Sequence, residues 1–205
     1  MLMLGEGVTV MSVVVGLRVA VGVVFFLAAA SKSSRRGRAD FRIAVGAFVP
    51  GAGGRWAGVL VVVTVAAEWA VVVLLAVPVR GASVAGFGLA GAALAVFTVV
   101  LVWGLRRGVS APCRCFGSSA RPVSGVQVVR NVLLLTLAVL GLYVCVTAGG
   151  GRVPVAGLWV SAGAGALLGA VLSVFDDLAG LFITASPPRR LMTGREAVTR
   201  REFPR

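Results

Sequence analysis

The chain has 205 residues and a formal net charge of +13, with 59% hydrophobic and only 13% charged residues. Soluble domains are about 45–50% apolar and about 25% charged, so a small soluble protein of this composition would expose large apolar patches. This composition excludes a soluble domain and a disordered chain, and the presence of only three cysteines excludes a disulfide scaffold. The absence of histidine excludes His-ligated metal sites and Ser–His–Asp hydrolysis.

Five apolar runs are long enough to cross a bilayer as helices, which takes about 20 residues each. They cover about residues 8–30, 56–79, 82–105 and 126–148, and a fifth starts near Val155 and ends between Phe175 and Phe182. Runs of this length are predicted to be helical, because open strands leave backbone groups unsatisfied in lipid. We therefore predict an all-α integral membrane protein. Its first four spans form an antiparallel bundle over residues 8–148, and residues 155–182 add a fifth transmembrane helix.

The net positive charge does not indicate nucleic-acid binding, because the basic residues cluster in alternate connections between spans. Most basic residues lie in three regions. The first loop contains Lys32, Arg35, Arg36, Arg38, Arg42 and Arg55, and the third loop with the start of the fourth span contains Arg106, Arg107, Arg114, Arg121 and Arg130. The tail contains Arg189, Arg190, Arg195, Arg200, Arg201 and Arg205. The second and fourth loops contain only Arg80 and Arg152. Positive residues favour the cytoplasmic side, so we expect a multi-pass cell-membrane protein with its N-terminus outside and its basic tail, residues 187–205, in the cytoplasm.

A short amphipathic segment follows the first span. Asp40 is predicted to cap a helix that has Phe41, Val45 and Phe48 on one face and ends at Pro50. Such a helix would lie at the cytoplasmic surface of the membrane.

The last span carries small residues at every fourth position, at Ser161, Gly165, Gly169 and Ser173. This stripe predicts close packing against another helix. Asp176 and Asp177 follow it and are predicted to lie at the cytoplasmic interface, because the span is longer than the hydrocarbon core requires.

Two charges fall inside the predicted spans, Arg18 in the first and Glu68 in the second. A charge at the bilayer centre costs at least about 2.5–3.5 kcal/mol, so we predict that the two pair, with Thr64 one turn away from Glu68. The pair is either structural or part of a polar site for a quinone, a proton or a headgroup. Alternatively, Arg18 extends to the outer surface. The face of the first helix that includes Arg18 also carries Gly22, Phe25, Ala29 and Lys32, and Gly22 and Ala29 are predicted to allow close helix approach.

The third loop contains the most specific motif, Pro112-Cys113-Arg114-Cys115-Phe116-Gly117. Two thiols one residue apart can form a readily reduced disulfide, bind a soft metal with the help of further ligands, or remain inert. Arg114 favours the reactive thiolate, and Phe116-Gly117 lets the chain turn sharply. Redox chemistry is the favoured interpretation, and no metal site is predicted. Cys145, at the other end of the fourth span, is predicted to be an apolar packing residue.

Taken in order, these features resemble the MauE family of methylamine-utilisation membrane proteins, within the wider DoxX-like group. The resemblance covers about residues 10–145. The matching features are Arg18, Phe25-Phe26, the Ala-Ala-Ser-Lys sequence that ends at Lys32, the stretch from Phe41 to Pro50, Glu68, Cys113-x-Cys115-Phe116-Gly117 and Arg130-Asn131. Before the lysine, the family usually has Gly where this chain has Ala29-Ala30.

The resemblance implies a redox-associated membrane protein that acts in thiol–disulfide exchange or in maturation of an exported redox enzyme. It implies Cys113 and Cys115 as the redox pair and a thioredoxin-like or exported redox protein as partner. A quinone enters only by analogy with other bundle-type membrane thiol enzymes. The arginine distribution places the pair in the cytoplasm, where thiols are kept reduced. The pair therefore either passes reducing equivalents into the membrane, or the topology is inverted. A non-catalytic assembly subunit and a small transporter or metal-handling protein are the alternatives.

Overall fold

A computed structural model of the protein describes residues 2–48, 54–108, 125–147 and 155–183. These residues form the helices α1 (Leu2–Ser33), α2 (Arg35–Phe48), α3 (Arg55–Ala76), α4 (Arg80–Arg106), α5 (Gly125–Thr147) and α6 (Val155–Ile183). Within the described ranges, all helices except α2 are long and apolar enough to cross a membrane. The predicted all-α membrane class and the five apolar spans are confirmed. The bilayer is therefore one partner of the chain.

Helices α1, α3, α4 and α5 form a closed ring in which each packs against two neighbours. Neighbouring helices run in opposite directions. Gly86 of α4 packs against Leu75 of α3, and Gly141 of α5 packs against the ring of Phe87. The apolar core lies inside this ring and includes Leu17, Val21, Phe25, Val71, Phe87, Leu94, Leu134 and Ala138.

The two ends of the ring have different sequences, and we name each by an arginine of α4. The Arg80 end contains the end of α3, the start of α4 and the end of α5. The Arg106 end contains the start of α3, the end of α4 and the start of α5.

Helix α6 packs outside the ring, mainly on α1, and runs in the same direction as α1. A side chain on Gly165 would collide with the carbonyl of Gly16, and one on Gly169 would lie 2.6 Å from the carbonyl oxygen of Ala20. The predicted small-residue stripe is therefore a helix contact that allows the two backbones to approach closely. Gly22 has no such role, because a Cβ at that position would meet nothing within 4 Å.

Helix α2 begins six residues earlier than predicted, because Ser34 caps it instead of Asp40. The hydroxyl oxygen of Ser34 accepts a hydrogen bond from the backbone N–H of Gly37 at 2.9 Å, which is the usual N-cap geometry. Phe41 and Phe48, which were predicted to share one face, are buried, and Phe48 packs against Gly104 of α4. The helix thus lies along the ring near the Arg106 end, with Arg35, Arg36, Arg38 and Arg42 exposed.

Candidate functional site

A buried ion pair lies inside the ring, between α1 and α3. The Nζ atom of Lys32 donates a hydrogen bond to Oε1 of Glu68 at 2.6 Å, and both side chains are almost fully buried. Nζ also lies 3.4 Å from the carbonyl oxygen of Ala28 and 5.2 Å from the centre of the Phe41 ring. Lys32 therefore meets a carboxylate, a carbonyl dipole and an aromatic face, and these three contacts compensate its removal from water.

The contacts around the pair fix how α1 and α3 pack. The Nε1–H group of Trp69 donates to the hydroxyl oxygen of Ser33 at 3.3 Å, and the Trp69 ring meets the Phe26 ring edge to face at 5.7 Å. Both contacts use the residue next to Glu68. They hold the carboxylate beside Lys32, as a site on rigid elements requires.

The predicted Arg18–Glu68 pair does not form in the described structure. The Arg18 guanidinium instead donates to the carbonyl oxygens of Leu75, at 2.9 Å from Nε and 2.6 Å from Nη2, and of Val77. Leu75 is two helical turns beyond Glu68, so the antiparallel packing of α1 and α3 places Lys32, and not Arg18, opposite the carboxylate. Arg18 reaches the Arg80 end of the bundle, where its charge meets the C-terminal carbonyls of α3. This agrees with the alternative in which Arg18 extends to the surface.

The start of α5 adds three buried polar side chains, Gln127, Arg130 and Asn131. Asn131 is completely buried, and Gln127 is 5% exposed. Arg130 and Asn131 belong to the residues that the sequence resemblance singled out. Gln127 was not predicted. Its position four residues before Asn131, on the same helical face, is the signal that could have identified it.

Glu68 and Asn131 lie at similar depth in the ring. Leu75 packs against Gly86, and Phe87 packs against Gly141, which sets the register of α3, α4 and α5. Counting along the antiparallel helices from these contacts places Glu68 within about one helical turn of Asn131, or roughly 5 Å along the bundle axis. The polar residues of α1, α3 and α5 therefore form one layer of the interior.

Several polar atoms of this layer have no hydrogen-bond partner among the residues that the structure describes. They include Oε2 of Glu68, Oε1 of Gln127 and both side-chain amide atoms of Asn131. More than about 90% of buried polar groups in proteins are hydrogen-bonded, so a cluster of unsatisfied atoms needs an explanation. Buried polar atoms of this kind are commonly satisfied by bound water.

The other predicted site residues lie elsewhere. Thr64 lines a cavity of about 120 Å³ between α2, α3 and α4, which it shares with Phe41 and Phe97. Cys145 is a free thiol that packs in the apolar core at the Arg80 end, as predicted. The motif residues Cys113, Arg114, Cys115, Phe116 and Gly117 lie outside the described residues.

Four apolar helices that enclose a buried polar layer, with a fifth packed outside them, define an all-α, multi-pass membrane protein. The chain matches the family described as methylamine utilisation protein MauE over residues 10–144, which is more than half of its length. It therefore belongs to the MauE family, and the resemblance found in the sequence is confirmed. The match extends from α1 into the last turn of α5 and does not include α6. Searches of curated proteins and of solved structures found no match.

Proposed function

We propose that the protein is a membrane thiol–disulfide redox component that serves the maturation of an exported redox enzyme, with Cys113 and Cys115 as its redox pair. The observation that carries this proposal is the position of the pair in the segment that joins α4 to α5. Both helix ends that flank this segment lie at the Arg106 end, where the buried polar side chains of α5 begin. Family membership supports the proposal without naming a substrate.

Chain connectivity limits where the pair can react. Cys113 follows Arg106, the last residue of α4, by seven residues, so its Cα atom lies within about 25 Å of the end of α4. Helix α4 has 27 residues and is about 40 Å long. The pair therefore reacts at the Arg106 end, and Cys145 at the opposite end is not its resolving partner.

The proposed exchange transfers two electrons and two protons. The Cys113–Cys115 disulfide is attacked by a thiolate of a thioredoxin-like partner, which forms a mixed disulfide and releases one thiol of the pair. The second partner thiolate then closes the partner's disulfide and releases the other. The partner dithiol is oxidised, and Cys113 and Cys115 become two thiols. Arg114, between them, favours the thiolate form that carries the reverse reaction.

A redox titration of the purified full chain tests this chemistry. The protein is equilibrated in glutathione buffers, quenched in acid and alkylated, and the oxidised fraction of the pair is measured by mass spectrometry. We expect one two-electron transition between about −320 and −120 mV, the range of exchanging dithiols. The matched control, Cys145→Ser, is expected to leave this transition unchanged. A pair that stays fully reduced or fully oxidised throughout would favour a non-catalytic assembly subunit.

We further infer that the N-terminus faces outward and that the Arg106 end faces the cytoplasm of the cell. The exposed arginines of α2, with Arg106 and Arg107, support this orientation, since Arg80 is the only basic residue in the α3–α4 connection. A membrane-impermeant thiol reagent applied to intact cells after reduction is expected to leave Cys113 and Cys115 unlabelled. Labelling before lysis would mean that the topology is inverted.

A further inference from the structure

A cleft of about 500 Å³ opens between α1, α3 and α6, on the outside of the ring. Its walls are apolar and include Gly22, Phe26, Val72 and Leu158. Trp159 lines it and is 72% exposed. This volume falls within the range of about 300–1,000 Å³ that is typical of ligand sites.

Arg18 is the one charged side chain among the residues that line this cleft. Its Nε and Nη2 atoms donate to the carbonyl oxygens of Leu75 and Val77, while Nη1 has no acceptor within the part of the chain that the structure describes. Two N–H groups and a positive charge are therefore available to a ligand. No carboxylate among the lining residues neutralises them.

The charge and the apolar walls are arranged along the bundle axis. Val77 lies just beyond the end of α3, so the guanidinium that donates to its carbonyl oxygen lies level with that helix end. From Arg18 the cleft continues past Gly22 to Phe26, about 12 Å along α1. The cleft thus has a cationic group at the end of α3 and apolar walls along the rest of its length.

We propose that this cleft binds one anionic phospholipid of the surrounding leaflet, with its phosphate on Arg18 and an acyl chain along Gly22 and Phe26. A cleft in the hydrocarbon region fills with lipid, because water gains little there from apolar walls. The lone cation selects an anionic headgroup, and a guanidinium forms strong hydrogen bonds with phosphate. A neutral amphiphile such as a quinone would leave that charge uncompensated.

Gly22 provides a way to fill the cleft without disturbing Arg18. A Cβ at Gly22 meets nothing within 4 Å, so Gly22→Leu is expected to fold and to occupy the path of the acyl chain. Gly88 of α4 is the matched control, because it is also half-buried, has equal free space and does not line the cleft. Arg18→Gln removes the charge. Because Arg18 also binds the end of α3, Arg18→Lys serves as a second, charge-preserving variant.

The experiment is native mass spectrometry of the full chain released from bilayer discs that contain equal amounts of phosphatidylglycerol and phosphatidylcholine. We expect the wild type and Gly88→Leu to retain one more lipid than Gly22→Leu. That lipid is expected to be phosphatidylglycerol about five times as often as phosphatidylcholine, because one arginine near an anionic surface contributes about this factor. Arg18→Gln is expected to retain a lipid without headgroup preference, and Arg18→Lys to keep the preference.

Equal lipid retention by Gly22→Leu and Gly88→Leu would overturn the proposal. An Arg18→Gln variant that still prefers phosphatidylglycerol over phosphatidylcholine would also overturn it, because the preference would then come from other basic residues, such as the exposed arginines of α2. A retained quinone in place of phospholipid would also contradict it. None of these outcomes depends on the redox behaviour of Cys113 and Cys115.

Discussion

Removing one partner of the buried Lys32–Glu68 pair is expected to destabilise the bundle far more than removing both. Each residue is only 1% exposed, so Lys32→Met leaves an uncompensated carboxylate and Glu68→Leu leaves an uncompensated ammonium. Losing one partner of a buried pair costs about 3–5 kcal/mol, whereas replacing both with apolar residues is about neutral. For a chain of this length, each single variant is expected to lower the melting temperature by about 6–20 °C. The double variant is expected to melt close to the wild type.

The assay uses Cys145 as the reporter of unfolding, because its thiol is 7% exposed in the folded core. In a background with Cys113→Ser and Cys115→Ser, a maleimide dye reacts with Cys145 as the protein unfolds in detergent micelles. Thr64→Val, one turn from Glu68, is the matched control and is expected to shift the melting temperature by less than about 3 °C. A double variant whose loss equals the sum of the two single losses would show that the pair is not coupled and would refute this reasoning.

Three further predictions concern other parts of the bundle. Asn131→Leu is expected to lower the melting temperature in detergent by about 2–4 °C, because it removes the amide that bound water satisfies in the polar layer; a raised melting temperature would mean that the layer is dry. Gly165→Val is expected to lower the free energy of unfolding by about 1–3 kcal/mol, because the larger side chain separates α6 from α1. Gly163→Val is expected to be neutral, because a Cβ there meets nothing within 4 Å. Equal melting temperatures for the two variants would contradict the contact. Arg80→Leu is expected to speed amide hydrogen exchange at the end of α5, because Arg80 donates to the carbonyl oxygens of Cys145 and Val146. The exposed Arg38→Leu is expected to have no such effect, and equal exchange in the two variants would oppose the prediction.

The transmembrane helices could be predicted because length and apolarity alone determine whether a segment can span lipid. The bounds were less accurate where local contacts decide them. Helix α2 starts after the Ser34 cap, and a competing cap at Asp40 looks equally plausible in the sequence. Close packing was predicted for both Gly22 and the stripe that includes Gly165, but only the stripe, through Gly165 and Gly169, meets a neighbouring helix. Glycine spacing does not reveal which helix, if any, lies opposite.

The buried polar layer could be predicted only in part. The sequence identified Glu68 as a charge inside a span, and Lys32, Arg130 and Asn131 as matching features of the family resemblance. It paired Glu68 with Arg18, because both fall near the middle of their spans. In the structure α1 continues to Ser33, so Lys32 lies inside the bundle. The register of α1 against α3 then places Lys32, and not Arg18, beside Glu68. Register depends on side-chain packing between helices, which one sequence does not reveal.

The two ends of the bundle perform different tasks in this account. At the Arg80 end, Arg18 and Arg80 bind the final carbonyls of α3 and α5, so their charges stabilise helix ends. At the Arg106 end, buried polar side chains lie at the start of α5, which follows the segment that contains Cys113 and Cys115 in the chain. The proposed lipid site and the proposed redox site are thus separated by most of the membrane thickness.

The central claim is that Cys113 and Cys115 cycle between thiols and a disulfide in the living cell. The most direct measurement is acid quenching of cells grown under oxidising and reducing conditions, followed by alkylation with two reagents of different mass. Mass spectrometry of the peptide that contains both cysteines then gives the oxidised fraction. The account predicts a disulfide whose fraction rises under oxidising growth, while Cys145 stays reduced in both conditions. Two thiols that remain free in both conditions would contradict it.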